Sequence, residues 1–433
     1  MLVARRISTR MAVAWLIAVF TVPMPFVAVL AVFIAPVYRE MMMTPITLGI
    51  IAYVWMLESV YLSCRPHWLD RLIGLPHMYV MHGTLGMMAL LLAALHRVDL
   101  PAYGLPKTLG DIAFWLMVVL VILALMFMTR PVADRVPPIG WLRRKLEHTF
   151  RHEFTVWLHR ILLVAVICVW AHFHLIRYIA RVLPFTVLVD CVTIAVLGCY
   201  VYRMTREQFC AWHGKVTQCR TIAPNVVELS IRISGPRTLA SWEEGDFAFI
   251  RFPSIRGMRE YHPFSMVNAP DGTGVIRFAI RADGDFTRRL PSVASPGTAV
   301  DLLPPFGRYR RFLDEHEASR PIIIYAGGIG ITPLLPVIFH YGARNRRRIT
   351  MLYSARTQSG LLYQNELSTW QQATGNTLML KAGQFTSEEL RHAITTDAMY
   401  LIAGPAAMTR AITKLLRKAG VPANDICYEP FSF

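Results

Sequence analysis

Six apolar runs crowd the first 202 residues, and a bundle of membrane-crossing helices is the fold that accommodates them. They read as Met11–Tyr38, Pro45–Cys64, Leu75–His96, Asp111–Thr129, Phe154–Ile176 and Pro184–Tyr202. Each approaches or exceeds the ~20 residues a helix needs to cross a bilayer. The opening run is much longer than the apolar core of a signal peptide, so it reads as a retained span. Loops on one side carry thirteen Arg and Lys side chains, among them Arg65, Arg71, Arg143, Arg144 and Lys145. The other side has five: Arg39, Arg97, Lys107, Arg177 and Arg181. The positive-inside rule places the first set, and both chain ends, in the cytoplasm. Met41-Met42-Met43 then falls in an outer, membrane-contacting loop.

Two of the runs carry spaced histidines. His82 and His96 are fourteen residues apart, and His159 and His172 thirteen. Either spacing separates two rings by roughly 20 Å along a helix. A lone histidine in a span commonly just bonds a neighbouring helix, but four in two matched pairs mark a site, because imidazole is costly in hydrocarbon. Side by side, the two helices set His82 opposite His159 and His96 opposite His172. Each pair suits an iron porphyrin gripped from both faces. Fourteen residues return a helix nearly to the same face, whereas thirteen do not. Either a π-bulge re-phases the fifth span, or His174 replaces His172 as the outer ligand.

Composition narrows the chemistry. The net charge of +17 follows membrane topology, and neither zinc-finger spacing nor a basic run interleaved with aromatics supports nucleic-acid binding. Seven scattered cysteines include no Cys-x-x-Cys, which excludes a zinc ribbon, a thioredoxin-type centre and covalently attached haem. Any haem is therefore of b type.

After Arg206 the pattern changes to short alternating segments, Val226–Ile233, Asp246–Phe252 and Val275–Arg281, broken by Gly, Pro and Asp. They predict an antiparallel barrel or sandwich. From Pro321 the rhythm becomes that of an open α/β sheet, with strands at Ile322–Tyr325, Met351–Ser354, Leu378–Lys381 and Met399–Ala403. Gly327-Gly328-Ile329-Gly330-Ile331-Thr332-Pro333 follows the first of these. It is a turn that lets a pyrophosphate approach backbone at a helix start. Pro333 stands where the usual fingerprint has its last glycine. Three domains follow: a six-helix transmembrane bundle over 1–206, an antiparallel β-barrel over 207–312, and a Rossmann-like α/β domain over 313–433.

With Tyr261-His262-Pro263-Phe264-Ser265 added to the glycine loop and the histidine pairs, the chain resembles the transmembrane NADPH oxidase and ferric reductase family. The soluble half of that family is similar to ferredoxin–NADP reductases. The resemblance implies that His262, Pro263, Phe264 and Ser265 hold FAD, with the Ser265 hydroxyl near the reactive flavin nitrogen. It implies that Arg281 with Gly284-Asp285-Phe286-Thr287 binds the FAD pyrophosphate, and that Pro305-Phe306-Gly307 is the hinge before the nucleotide domain. Gly327, Gly328, Gly330, Thr332 and Pro333, with Gly404 and Pro405, resemble the two nicotinamide-nucleotide loops; Ala403 stands where the family often has Cys. Ser354 and Arg356 suit the 2′-phosphate of NADPH, although an Arg there also stacks on adenine and accepts NADH. Phe433 is expected to cover the flavin until nicotinamide displaces it. The family's fourteen and thirteen spacings, and an Arg after the inner fifth-span histidine (here Arg160), favour His172 over His174.

The resemblance thus implies a flavohaem oxidoreductase of a bacterial inner membrane, carrying FAD and two b-type haems. Cytoplasmic NADPH is the donor and oxygen the outer acceptor, leaving as superoxide. A ferric chelate, a periplasmic protein or a quinone are the competing acceptors. No EF-hand loop is present, and activity without a partner subunit is expected. The contrasting reading is a transporter or sensor with a vestigial reductase domain.

Overall fold

The computed structural model describes residues 9–100, 103–128, 141, 145, 152–209, 211–234, 242–303, 305–342 and 347–429, with backbone alone at 152–154, 156 and 207–209. It divides into two compact units. One gathers Arg10–Pro66 and His77–Met204; the other holds His67–Pro76 and the chain from Thr205 onward.

Helices long and apolar enough to cross a membrane run over Arg10–Phe33, Pro36–Ser63, Leu75–Asp99, Gly104–Phe127, Trp157–His174 and Leu183–Arg206, the first to sixth spans. Leu91, Val119, Ile122 and Ile194 are exposed, as side chains that meet lipid must be. The expected count of six holds, but proline moves a boundary. The chain turns at Ile34–Ala35 and the second helix starts at Pro36, not at Pro45. Proline's fixed φ and missing N–H suit the first helical position, and the residue before it is driven to extended backbone, as at Ala35 (ψ 139°). Arg39 and Met41–Met43, expected in a loop, are therefore helical, and Arg39 donates to the Ala31 carbonyl at 3.2 Å.

The second unit contains two sheets. The first is antiparallel, with strands β1 (Trp212–Ala223), β2 (Val226–Ile233), β3 (Phe247–Arg251), β4 (His262–Ser265), β5 (Val275–Arg281) and β6 (Ala299–Leu302), in the order β4-β3-β6-β1-β2-β5. Its edge strands are joined by one isolated bridge, Met266 with Phe278, and a bond from Val267 N–H to the Arg277 carbonyl. The sheet thus curls toward a barrel without closing along its length. Trp242, Phe252, Met266 and Phe278 fill its interior. β1, β4 and β6 were not legible as strands: β1 is mostly polar and largely exposed, and the other two are four residues long.

The second sheet is parallel: β7 (Ile322–Gly327), β8 (Ile349–Ala355), β9 (Thr377–Ala382), β10 (Met399–Ala403) and β11 (Ile426–Tyr428), in the order β11-β10-β7-β8-β9. β7 and β10 are buried throughout, as strands covered on both faces must be. Helices Leu334–Gly342 and Gln364–Thr374 cover one face with Leu334, Leu367 and Trp370. Ser387–His392 and Ala406–Lys418 cover the other with Leu390, Ile412 and Leu416.

The short helix His67–Ile73, on the sequence between the second and third spans, is part of this unit. Arg71 donates both Nη groups to Asp246 at 2.7 and 3.0 Å, and one to the Gly307 carbonyl at 2.8 Å. Gly307 N–H donates to Asp70, and Arg308 donates to the Ile73 carbonyl at 2.7 Å. His67 stacks on Phe306 with ring centres 5.0 Å apart. The segment is thereby bonded to the expected hinge residues.

Candidate functional site

The membrane unit brings the four histidines together in the expected pairs. Ring centres lie 5.8 Å apart for His82 and His159, and 6.3 Å for His96 and His172. A metal–nitrogen bond of about 2 Å on each side, plus about 1 Å from nitrogen to ring centre, demands centres about 6 Å apart. The spacing therefore fits one metal ion between the rings of each pair. Nδ1 of His82 donates to the Ser59 carbonyl at 2.8 Å, that of His96 to Pro45 at 2.8 Å, and that of His172 to Pro106 at 2.7 Å. A ring nitrogen facing a carbonyl carries the proton, which leaves Nε2 with the lone pair a metal needs. Among the described residues His159 Nδ1, which is buried, has no such acceptor.

His174 is engaged elsewhere. Its Nε2 lies 2.9 Å from Asp190 Oδ1, which also accepts from Trp170 Nε1 at 2.7 Å. The helical phase that left His172 in question changes at Ile161, which interrupts the fifth span between His152–Arg160 and Leu162–His174. Ile161 N–H bonds the Leu158 carbonyl at 3.0 Å and Val164 N–H bonds the Ile161 carbonyl at 2.8 Å. At about 100° per residue, thirteen residues fall about 140° short of four turns. Such i→i+3 turns advance about 120° per residue and so add rotation. A tightened turn, where either a π-bulge or a switch to His174 was expected, narrows that gap.

His96 and His172 line a cavity of about 420 Å³ whose wall includes Phe26, Leu30, Tyr53 and Phe114. Arg97, Lys107 and Asp111 are also on it, with Arg97 donating to Asp111 at 2.8 Å.

In the antiparallel sheet, the His262–Ser265 motif is β4, paired with β3 so that Ser265 lies opposite Phe247 and His262 opposite Ile250. Ser265 is buried. Phe286 joins this strand to the Gly284–Thr287 segment: its ring centre lies 4.2 Å from His262 and 6.0 Å from Phe264. Gly284 precedes the helix Asp285–Val293, and Thr287 Oγ1 accepts the N–H groups of Asp283 and Gly284. Arg281, at the end of β5, is paired with Asp283 at 2.6 Å, so binding a pyrophosphate would require it to exchange that carboxylate.

The nucleotide loops lie at the C-terminal ends of β7 and β10, where the strand order reverses and open α/β sheets bind ligands. Gly328 to Ile331 forms a 3₁₀ turn, and the helix begins at Leu334, after Thr332 and Pro333. The two loops touch. A Cβ on Gly330 would stand 2.5 Å from the Ala403 carbonyl oxygen, and one on Gly404 3.2 Å from Gly327 Cα. Pro405 precedes the helix Ala406–Lys418. Ser354 pairs in register with Gly327, and exposed Arg356 follows β8. Phe433 lies outside the described residues. Sequence reasoning missed the carbonyls of Ser59, Pro45 and Pro106. A repeated Pro-x-Thr-Leu-Gly at 45–49 and 106–110 was the signal for the last two.

The family described as FAD-binding domain matches residues 211–323, and the oxidoreductase NAD-binding domain matches 324–414. Methane monooxygenase component C of Methylosinus trichosporium is 32% identical over 168 residues, which cover 37% of this chain and 47% of the relative. Flavohemoprotein A of Dictyostelium discoideum is 25% identical over 257 residues, covering 53% of this chain and 64% of the relative. The chain thus spans about half to two-thirds of the length of these curated relatives. The flavohaem-like FAD/NAD-binding domain of nitric oxide dioxygenase from Vibrio cholerae O1 biovar El Tor overlays 50% of this chain and 97% of that structure, with TM-score 0.45 and 19% identity. Residues 211–414 are therefore an FAD- and NAD-dependent oxidoreductase module of the ferredoxin–NADP reductase-like family, preceded by six apolar helices, as the resemblance to transmembrane NADPH oxidases and ferric reductases implies.

Proposed function

We propose that the chain moves electrons across a bacterial inner membrane, from cytoplasmic NADPH through FAD and two b-type haems to an outer acceptor, with oxygen leaving as superoxide. The observation that carries this reading is the pair of histidine couples with ring centres 5.8 and 6.3 Å apart. When bound, FAD would supply a hydride acceptor able to give up electrons singly, and haem a one-electron relay. The balance is one NADPH and two oxygen molecules to NADP⁺, one proton and two superoxide ions.

The residues divide that work. Gly327, Gly328 and Gly330, with Gly404 and Pro405, present backbone to the nucleotide, while Ser354 and Arg356 grip its ribose end. NADH is the weaker substrate. His262 to Ser265 hold the flavin along β4. His82 and His159 would hold the inner haem and His96 and His172 the outer, with the rings of His82, His96 and His172 oriented by the carbonyls they donate to. With His96 and His172 both engaged in holding the group, an outer acceptor would react without a protein side chain of its own, so no obligatory protein partner is expected. Arg97 and Lys107 suit the acidic side chains of the outer macrocycle. They also favour a second reading, in which the acceptor is an anionic ferric chelate.

The test is cytochrome c reduction by the detergent-purified protein with NADPH in air, with and without superoxide dismutase. Inhibition by the dismutase supports the oxidase reading. NADPH consumption that begins only on adding ferric chelate supports the metal reductase, and a purified protein without haem absorbance defeats both.

A further inference from the structure

We infer that Pro45-Ile46-Thr47-Leu48-Gly49 and Pro106-Lys107-Thr108-Leu109-Gly110 are twin seats that fix the ring orientation and tautomer of the outer histidines. The inference rests on the proposed haem ligation and deepens it. In each segment the proline carbonyl accepts the histidine Nδ1–H, at 2.8 Å for His96 and 2.7 Å for His172. The glycine four residues on lies over the same helix face. A Cβ there would stand 2.9 Å from His96 Nδ1 at Gly49, and 3.2 Å from His172 Nδ1 at Gly110.

The chemistry requires both parts. A helical carbonyl already bonded along its helix keeps a second lone pair, which a neighbouring donor uses only if it can come close. A side chain at i+4 stands in that approach, and glycine removes it. Proline at i suits the first turn of the fourth helix, where Pro106 lies, because its missing N–H is not needed there. Pro45 lies inside the second helix, where a proline kinks the axis. The seats come from the second and fourth spans and their histidines from the third and fifth, so one helix-pair device occurs twice. Among the described residues the inner pair has no equivalent: His82 uses the Ser59 carbonyl, and His159 Nδ1 is buried without an acceptor.

A packing role for small residues between spans is the competing explanation. Gly198 in the sixth span is the control, since a Cβ there meets nothing within 4 Å. Wild type, Gly49→Ala, Gly110→Ala and Gly198→Ala full-length proteins would be purified and compared for haem per FAD and for low-spin ferric electron paramagnetic resonance. Wild type and Gly198→Ala should hold two haems. Gly49→Ala and Gly110→Ala should lose one haem, or shift one of the two low-spin signals, with FAD retained. Two unaltered signals in both variants would overturn the inference, as would loss of both haems together with FAD, which marks packing. A wild-type protein without haem would instead remove the functional reading beneath it.

Discussion

Glu429 is enclosed in the second unit, where its carboxylate oxygen accepts the Arg308 N–H at 2.8 Å. Burial, reinforced by nearby Asp70, pushes its carboxyl up to about 8, against the opposing pull of Arg308. The folded state therefore holds this proton more tightly than the unfolded chain, whose ordinary value is 4.5. The resulting stability is complete below about 4.5, declines above it and is lost as pH rises through about 8. Thermal melting of the purified protein between pH 5 and 9 should show this decline, and Glu429→Gln should flatten it. A variant with the wild-type slope would contradict the assignment. At Gly330 the constraint is steric, since a methyl group would collide with the Ala403 carbonyl. Overpacking of this kind costs about 1–3 kcal/mol. Gly330→Ala should therefore raise the KM for NADPH about tenfold while FAD content stays at the wild-type level. Unchanged KM would show that the contact between the two loops does not shape the nucleotide site.

Among elements, the helix His67–Ile73 is held in part by Arg71, which pairs with buried Asp246 and with the more exposed Glu243. Burial holds the Asp246 carboxyl up at about 6, even with Arg71 bound to it. Arg71→Ala leaves that carboxylate buried and unpaired, at a cost of about 3 kcal/mol or more. Below pH 6 the carboxyl takes a proton and the cost shrinks. Flavin-release melts should thus separate variant from wild type widely at pH 8 and narrowly at pH 5, and an equal gap at both would refute the ion-pair account. The element scale is also where sequence reading succeeded and failed. Ile322–Tyr325 was legible because burial on both faces writes an unbroken apolar pattern, and the six spans because side chains that face lipid are apolar like those that face the bundle. β1 was not, because much of its length is exposed and polar side chains there obey no period. The histidines were legible from spacing and resemblance. Their carbonyl acceptors were not, because a backbone oxygen has no letter in the sequence. The 3₁₀-type turn at Ile161 was hidden for a similar reason, since nothing in Leu158–Val164 announces a change of helical pitch.

For the whole molecule, the decisive question is whether the two histidine pairs work in series. Fourteen residues of helix separate His82 from His96, roughly 20 Å along the axis. On the proposed reading, the outer pair receives electrons by way of the inner one. His82→Leu removes a proposed inner ligand at similar bulk and leaves His96 and His172 intact. Its expected phenotype is one haem per FAD. That haem should be reduced by dithionite but, with NADPH, at least a hundredfold more slowly than in wild type. Ferricyanide, which takes electrons directly from flavin, should still be reduced at near the wild-type rate. His172→Leu should also lose one haem, yet its remaining haem should fill rapidly from NADPH while superoxide formation stops. His174→Leu, whose ring bonds Asp190, should keep both haems. Rapid NADPH reduction of the haem left in His82→Leu would mean that flavin reaches the outer pair without the inner one, and the serial order would fall even with both haems in place.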